Sequence, residues 1–206
     1  MENKKQEFLL QALGVYMQLG IKSVTMDELA RQLGISKKTI YTYVKDKNDL
    51  VIQCIKQAQQ NEECEIKDIS ESENNAIDEL LKVGELVAQR LRSVHPSIFF
   101  DLQKYHPEAY QLMNVHRNKL IINSVTSNLK KGKEQGLYRN NINEDILSKM
   151  YVSFIDVLFH GDVFPTSKYS FIQVYSEYFK YHIRGIASDK GLKYLEKIMK
   201  TKKLDL

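Results

Sequence analysis

Apolar side chains recur at helical spacing along almost the whole chain, while only 3 prolines and 9 glycines interrupt 206 residues. This scarcity of breakers is the strongest constraint on the fold. A sheet protein of this length would need turn residues roughly every 8–12 positions, whereas helices joined by short connections would not. Phe8, Leu9, Ala12, Leu13, Tyr16 and Met17 form a first helical stripe over 4–19. Gly20 behind it suits the left-handed residue that ends a helix. Thr25-Met26-Asp27-Glu28 reads as a capping box, Thr25 accepting from the Glu28 amide and Glu28 reaching back. The helix it opens stops at Gly34, and Ser36 caps a second short helix with Ile40 and Val44 turned inward. Asp46-Lys47-Asn48-Asp49 starts a longer one. Further helices are expected over 76–92, 98–104, 107–132, 143–160, 167–185 and 192–199. The expected fold is all-α, without repeats or low-complexity tracts.

Composition excludes several classes of function. With 43% hydrophobic and 27% charged residues the chain can bury a core. Its most apolar stretch, around 150–159, is interrupted by Asp156 and falls short of the roughly 20 residues a membrane span requires. The first residues, Met-Glu-Asn-Lys-Lys-Gln-Glu, lack the apolar segment of a secretory signal, so a cytoplasmic location without a membrane partner is expected. Cys54 and Cys64 make no disulfide framework and no Cys-x-x-Cys. His95, His106, His116, His160 and His182 are scattered, none at metal-ligand spacing. Neither a glycine-rich phosphate loop nor a nucleophile elbow occurs. The expectation is therefore no metal, no cofactor and no catalytic residue.

Charge is unevenly distributed. Arg31, Lys37, Lys38, Lys45 and Lys47 against Asp46 make a compact basic window, and residues 61–79 then carry eight acidic groups and one Lys. Such a window hints at a polyanion site. Ala30, Gly34, Ile35, Ile40 and Tyr43 stand at the relative positions of a helix-turn-helix. Ala30 is small where the second helix crosses, Gly34 accepts a positive φ, and Ile35 and Ile40 wedge between the helices. Left outward are Ser36, Lys37, Lys38, Thr39, Tyr41, Thr42 and the rim of Tyr43. That face has hydrogen-bonding groups for base edges and cations for phosphates. Lys47, at a helix start, stands where amides and dipole already favour a phosphate.

The block from Val24-Thr25-Met26-Asp27-Glu28-Leu29-Ala30 through Ser36-Lys37-Lys38-Thr39-Ile40-Tyr41-Thr42-Tyr43 to Lys45-Asp46-Lys47-Asn48-Asp49-Leu50 closely resembles the N-terminal domain of the TetR family of bacterial repressors. The match runs from about Phe8 to Val51, a quarter of the chain. The resemblance implies a homodimer with three DNA-binding helices, residues 1–47, followed by a helical ligand-binding and dimerisation domain, residues 48–206. It also implies phosphate contact by Thr25, base or backbone contact by Lys37, Lys38, Thr39 and Tyr41, and backbone contact by Tyr43 and Lys47. One departure is Val44, where the family usually has Phe.

Residues 96–182 hold 15 of the 20 Tyr and Phe. Helix 143–160 is apolar nearly all round, and the last long helix carries two stripes, Ile172, Tyr175, Phe179 and Ile183, and Phe171, Val174, Tyr178 and Tyr181. A helix with two apolar faces needs two partners, and a second copy of the chain is the simplest supplier of one. Phe99, Phe100, Tyr105, Tyr110, Met113, His116 and Leu120, joined by Tyr151, Ile155 and Asp156, would suit an apolar pocket for a small effector. An aromatic stripe at helical spacing is equally consistent with plain core. For Asp156 a core or inter-subunit pair stands beside a ligand contact, and for His116 a structural role beside a binding one. The expected function is a regulator released from a near-palindromic double-stranded DNA operator by a small molecule. The alternative is a DNA-binding protein whose bundle only dimerises or binds a protein partner.

Overall fold

The computed structural model describes residues 2–160 and 163–202. Among the described residues the chain forms ten helices: α1 (Glu2–Leu19), α2 (Met26–Leu33), α3 (Lys37–Tyr43), α4 (Lys47–Ser72), α5 (Ala76–Ser93), α6 (Ile98–Tyr105), α7 (Pro107–Glu134), α8 (Glu144–His160), α9 (Phe171–Ile186) and α10 (Asp189–Lys202). Besides helices and turns, the described residues hold one isolated antiparallel bridge, Tyr138 to Ala187. The all-α expectation holds. Local chemistry sets the boundaries: α1 ends at Gly20, φ 81°, and α2 at Gly34, φ 65°, the left-handed region that glycine enters without strain.

Two helix starts differ from the sequence reading by three residues or more. Helix α9 begins at Phe171, not 167, because Ser170 accepts from the Gln173 amide while the Gln173 side chain accepts from the Ser170 amide, a complete capping box. Helix α10 begins at Asp189, not 192, because the Ser188 hydroxyl accepts from the Gly191 amide and closes its first turn.

The chain divides into two compact units, residues 1–64 with 93–117 and residues 65–92 with 118–206. The divisions fall inside α4, before the last residue of α5 and inside α7, so the first unit is larger than the 1–47 segment taken as the DNA-binding domain. In it, Phe8, Leu9, Ala12 and Tyr16 of α1, Leu29 and Ala30 of α2, Ile40 of α3 and Leu50, Val51 and Cys54 of α4 share one core with Ile98, Leu102 and Ala109. Burial of this apolar surface is what orders helices as short as α2 and α3, which would not persist alone.

The second unit is organised around Tyr138, whose hydroxyl bonds the Ala76 carbonyl at 3.1 Å and Asn128 Oδ1 at 2.9 Å. Asn128 Nδ2 donates to the same carbonyl at 2.9 Å, so the start of α5 is tied to α7. Lys131 pairs with the buried Glu79 at 2.7 Å and also donates to the Glu73 carbonyl. Helices α8 and α9 meet through aromatic rings: Phe154 stacks on Tyr178 at 3.6 Å, and Tyr151 meets His182 edge-on at 4.9 Å. Among the described residues no helix is long and apolar enough to cross a membrane.

Candidate nucleic-acid interface

The head is built from two capped helices held at a wedge. Thr25 Oγ1 accepts from the Glu28 amide at 3.1 Å and starts α2. Only this half of the expected capping box forms. The Glu28 carboxylate turns instead to Arg31 and to Gln32 Nε2, the i+3 and i+4 side chains of its own helix. Ser36 caps α3 by accepting from the Thr39 amide at 3.0 Å. Ile40 is fully buried, Ala30 and Val44 nearly so, and Ile35 half-buried. With one face of α3 fixed in the core, its opposite face is committed to solvent.

That outward face carries the expected residues. Lys37, Lys38, Tyr41 and Thr42 are exposed, Tyr41 by 44%. Lys38 has no hydrogen bond or ion pair among the described residues and is the unencumbered cation of the helix. The Lys37 ammonium sits 2.8 Å from Asp27 Oδ2, an exposed pair that a stronger anion can displace; the carboxylate holds the Lys37 pKa above its ordinary value. The Ser36 and Thr39 hydroxyls lie 2.8 Å apart at the cap, and the Thr42 hydroxyl donates to the Thr39 carbonyl at 2.6 Å. These three are positioned by the helix start as much as offered to a partner. Tyr43 is half-buried, its ring stacked on Phe8 at 5.2 Å.

Lys47 behaves differently from a free phosphate ligand. Its ammonium donates to the Ile21 carbonyl at 2.6 Å and approaches the Lys22 carbonyl at 3.4 Å. Burial pushes its pKa down. It ties the start of α4 to the α1–α2 turn. Lys45, two residues earlier and exposed, keeps its side chain outward while its amide donates to Asp49 Oδ2; the sequence reading placed it in the basic window but not among the contacts.

The residues expected to line an effector pocket are divided between the units. Phe99, Tyr110 and Met113 are half-buried against the core of the first unit. Phe100 and Tyr105 lie on that unit's surface, 56% and 38% exposed. His116 Nδ1 is 3.7 Å from Glu63 Oε1, and its Nε2 is buried without a hydrogen bond. In the second unit Tyr151 and Ile155 are buried and Asp156 is half-buried. The Tyr151 hydroxyl lies 3.5 Å from that of Tyr175, and burial raises the pKa of both. The second unit also carries an open apolar groove of about 470 Å³ lined by Phe154, Phe164, Tyr169, Val174, Tyr178 and Tyr181. No group of three His, Cys, Asp or Glu among the described residues is placed to hold a metal ion.

Residues 8–54 match the family described as bacterial regulatory proteins, tetR family. An uncharacterized HTH-type transcriptional regulator, YvaF, of Bacillus subtilis (strain 168) is 29% identical over 139 residues, 66% of this chain and 72% of that protein. A putative transcriptional regulator from Saccharomonospora viridis, solved in complex with choline, superposes with a TM-score of 0.71 at 17% identity, over 91% of this chain and all of that one. A TetR-family regulator from Agrobacterium tumefaciens gives 0.69 at 15% identity with the same coverage. The head over residues 8–54, with its capped helices and outward basic face, matches the tetR family of bacterial regulatory proteins, and the chain as a whole shares the all-helical fold of these solved regulators.

Proposed function

We propose that the protein is a homodimeric, sequence-specific repressor that leaves a near-palindromic operator when a small apolar or aromatic molecule binds it. The observation that carries the DNA reading is α3 itself: Ile40 is locked in the core while Lys37, Lys38, Tyr41 and Thr42 face outward on the same two turns. In this reading Lys38 and Tyr41 meet base edges, and Thr25, Ser36, Lys37, Thr39, Thr42 and Tyr43 meet the backbone or the groove rim. Lys47 reaches a phosphate only by giving up its carbonyl partners, so its main contribution is to hold α4 against the turn. Two copies are required because seven helical residues offer few contacts; a dimer doubles them and meets half-sites about 34 Å apart.

Support for the dimer comes from the second unit, where Ile146, Met150 and Val157 form one exposed stripe on α8 and Tyr181 of α9 is 77% exposed. Exposed apolar side chains on two neighbouring helices fit a second copy. Support for an effector comes from the aromatic content of the unit and from the choline-bound regulator of the same fold. Differential affinity of the effector for two arrangements of the heads would set the extent of release. The packing of Phe99, Tyr110 and Met113 into the core of the first unit favours the alternative, a bundle that only dimerises or binds a protein.

Binding of the full-length protein to operator DNA tests the head, with Lys37→Ala/Lys38→Ala expected to weaken it at least tenfold at unchanged melting temperature. Wild-type affinity in that variant would refute the assignment. Choline and a panel of small aromatic amphiphiles, scored by melting temperature and by loss of operator binding, separate the two readings of the bundle. A compound that raises the former and lowers the latter supports the sensor; a panel with no such compound favours the protein-partner reading.

A further inference from the structure

The first unit carries an exposed cluster that α3 does not use. The Lys22 ammonium, from the α1–α2 turn, lies 5.1 Å from the centre of the Tyr105 ring. The Lys104 ammonium lies 5.2 Å from the Phe100 ring and 5.6 Å from that of Tyr105. The two rings meet edge to face at 6.5 Å. Two cations and two exposed aromatics, drawn from elements far apart in sequence, thus make one surface. The rings hold the ammonium groups in place without neutralising them.

The cluster is anchored. Buried Asp101 accepts from the Lys22 backbone amide at 2.9 Å and from the Ser97 hydroxyl at 3.1 Å, so its carboxylate is directed at backbone and cap. Lys47 grips the carbonyls on the other side of the same turn. The turn is therefore held from α6 and from the first residue of α4, and it ends three residues later at Thr25, the cap of α2. The cluster borders the edge of the head at which α2 and α4 begin.

We propose that Lys22 and Lys104, steadied by Tyr105 and Phe100, form a second contact with the DNA backbone, outside the helix-turn-helix and supplied in part by α6. It rests on the DNA-binding reading of the head. Two ammonium groups suit phosphodiester oxygens, and the cluster presents no bidentate group for a base edge. It adds affinity and salt dependence without sequence preference.

The test uses the full chain, a fluorescein-labelled 40-base-pair duplex of arbitrary mixed sequence, and salt varied from 50 to 300 mM. Lys22→Ala/Lys104→Ala is expected to flatten the plot of log affinity against log salt by about 0.9 for each lysine removed per bound protomer. Affinity at 100 mM salt should fall several-fold, with the circular dichroism spectrum and melting temperature unchanged. Lys104→Ala alone, on an exposed helical position, should give about half the effect. A wild-type slope in both variants, beside a reduced slope in Lys37→Ala/Lys38→Ala, overturns the second contact and leaves the head intact. Failure of the wild-type protein to bind any duplex overturns the DNA-binding reading on which the proposal rests.

Discussion

His182 is buried between the rings of Tyr151 and Tyr178, and burial pushes its pKa down to about 4. In the unfolded chain the imidazole returns to its ordinary value near 6.5. Between these values the unfolded state binds a proton that the folded state does not. Stability therefore rises with pH across that window and is lost as pH falls through it, by about 3 kcal/mol for the full shift. The urea midpoint of His182→Phe should change less between pH 6.5 and 4.5 than that of the wild type; an identical slope would place the acid sensitivity on carboxylates alone. The two cysteines differ in the same physical terms. The Cys54 thiol is buried against the Leu9 carbonyl at 3.4 Å and burial raises its pKa to about 12, while Cys64 is exposed. A chromogenic disulfide reagent should titrate one thiol rapidly in native protein and two in denaturant. Two rapid thiols in the native state would contradict the packing of α1 on α4.

The elements were legible in sequence wherever their ends carry local chemistry. Thr25, Gly34 and Ser36 each act through a neighbour three or four residues away, so α2 and α3 begin and end where the residues say. The start of α9 was expected at 167, but the reciprocal Ser170/Gln173 capping box sets it at Phe171, whose side chain is buried. Glu28 shows the reverse failure: the box motif is present, and Arg31 and Gln32 take its carboxylate. Gly34 allows a clean test, since a Cβ there would meet nothing within 4 Å and the cost is conformational alone. Gly34→Ala should destabilise the head by about 1–2 kcal/mol, read as a lower melting temperature. No change would mean that the turn relaxes to another conformation.

On the scale of the whole molecule, periodicity said which residues turn away from solvent but not what they turn toward. Phe99, Tyr110 and Met113 read equally as pocket lining or as plain core, and they pack on the core of the first unit. Lys47 stood out in sequence for its place at a helix start, and only the fold brings its ammonium to the Ile21 carbonyl. Lys22 and Lys104 gave no sequence signal, because they stand 82 positions apart and only the fold brings both to Tyr105. The exposed α8 stripe predicts a dimer at micromolar concentration in sedimentation equilibrium. Met150→Glu/Val157→Glu should shift it to monomer with helical content retained; a monomeric wild type would remove the basis for two-site reading.

The central claim is that the outward face of α3 reads a particular DNA sequence, and selection from sheared bacterial genomic DNA tests it most directly. Full-length protein is incubated with the fragments at moderate salt in the presence of excess competitor, and the retained DNA is sequenced. The account predicts enrichment of a near-palindrome with half-sites one helical turn apart, lost in Lys37→Ala/Lys38→Ala. Retention without a shared site, falling away uniformly as salt rises, would contradict it and leave only a basic surface on a helical protein.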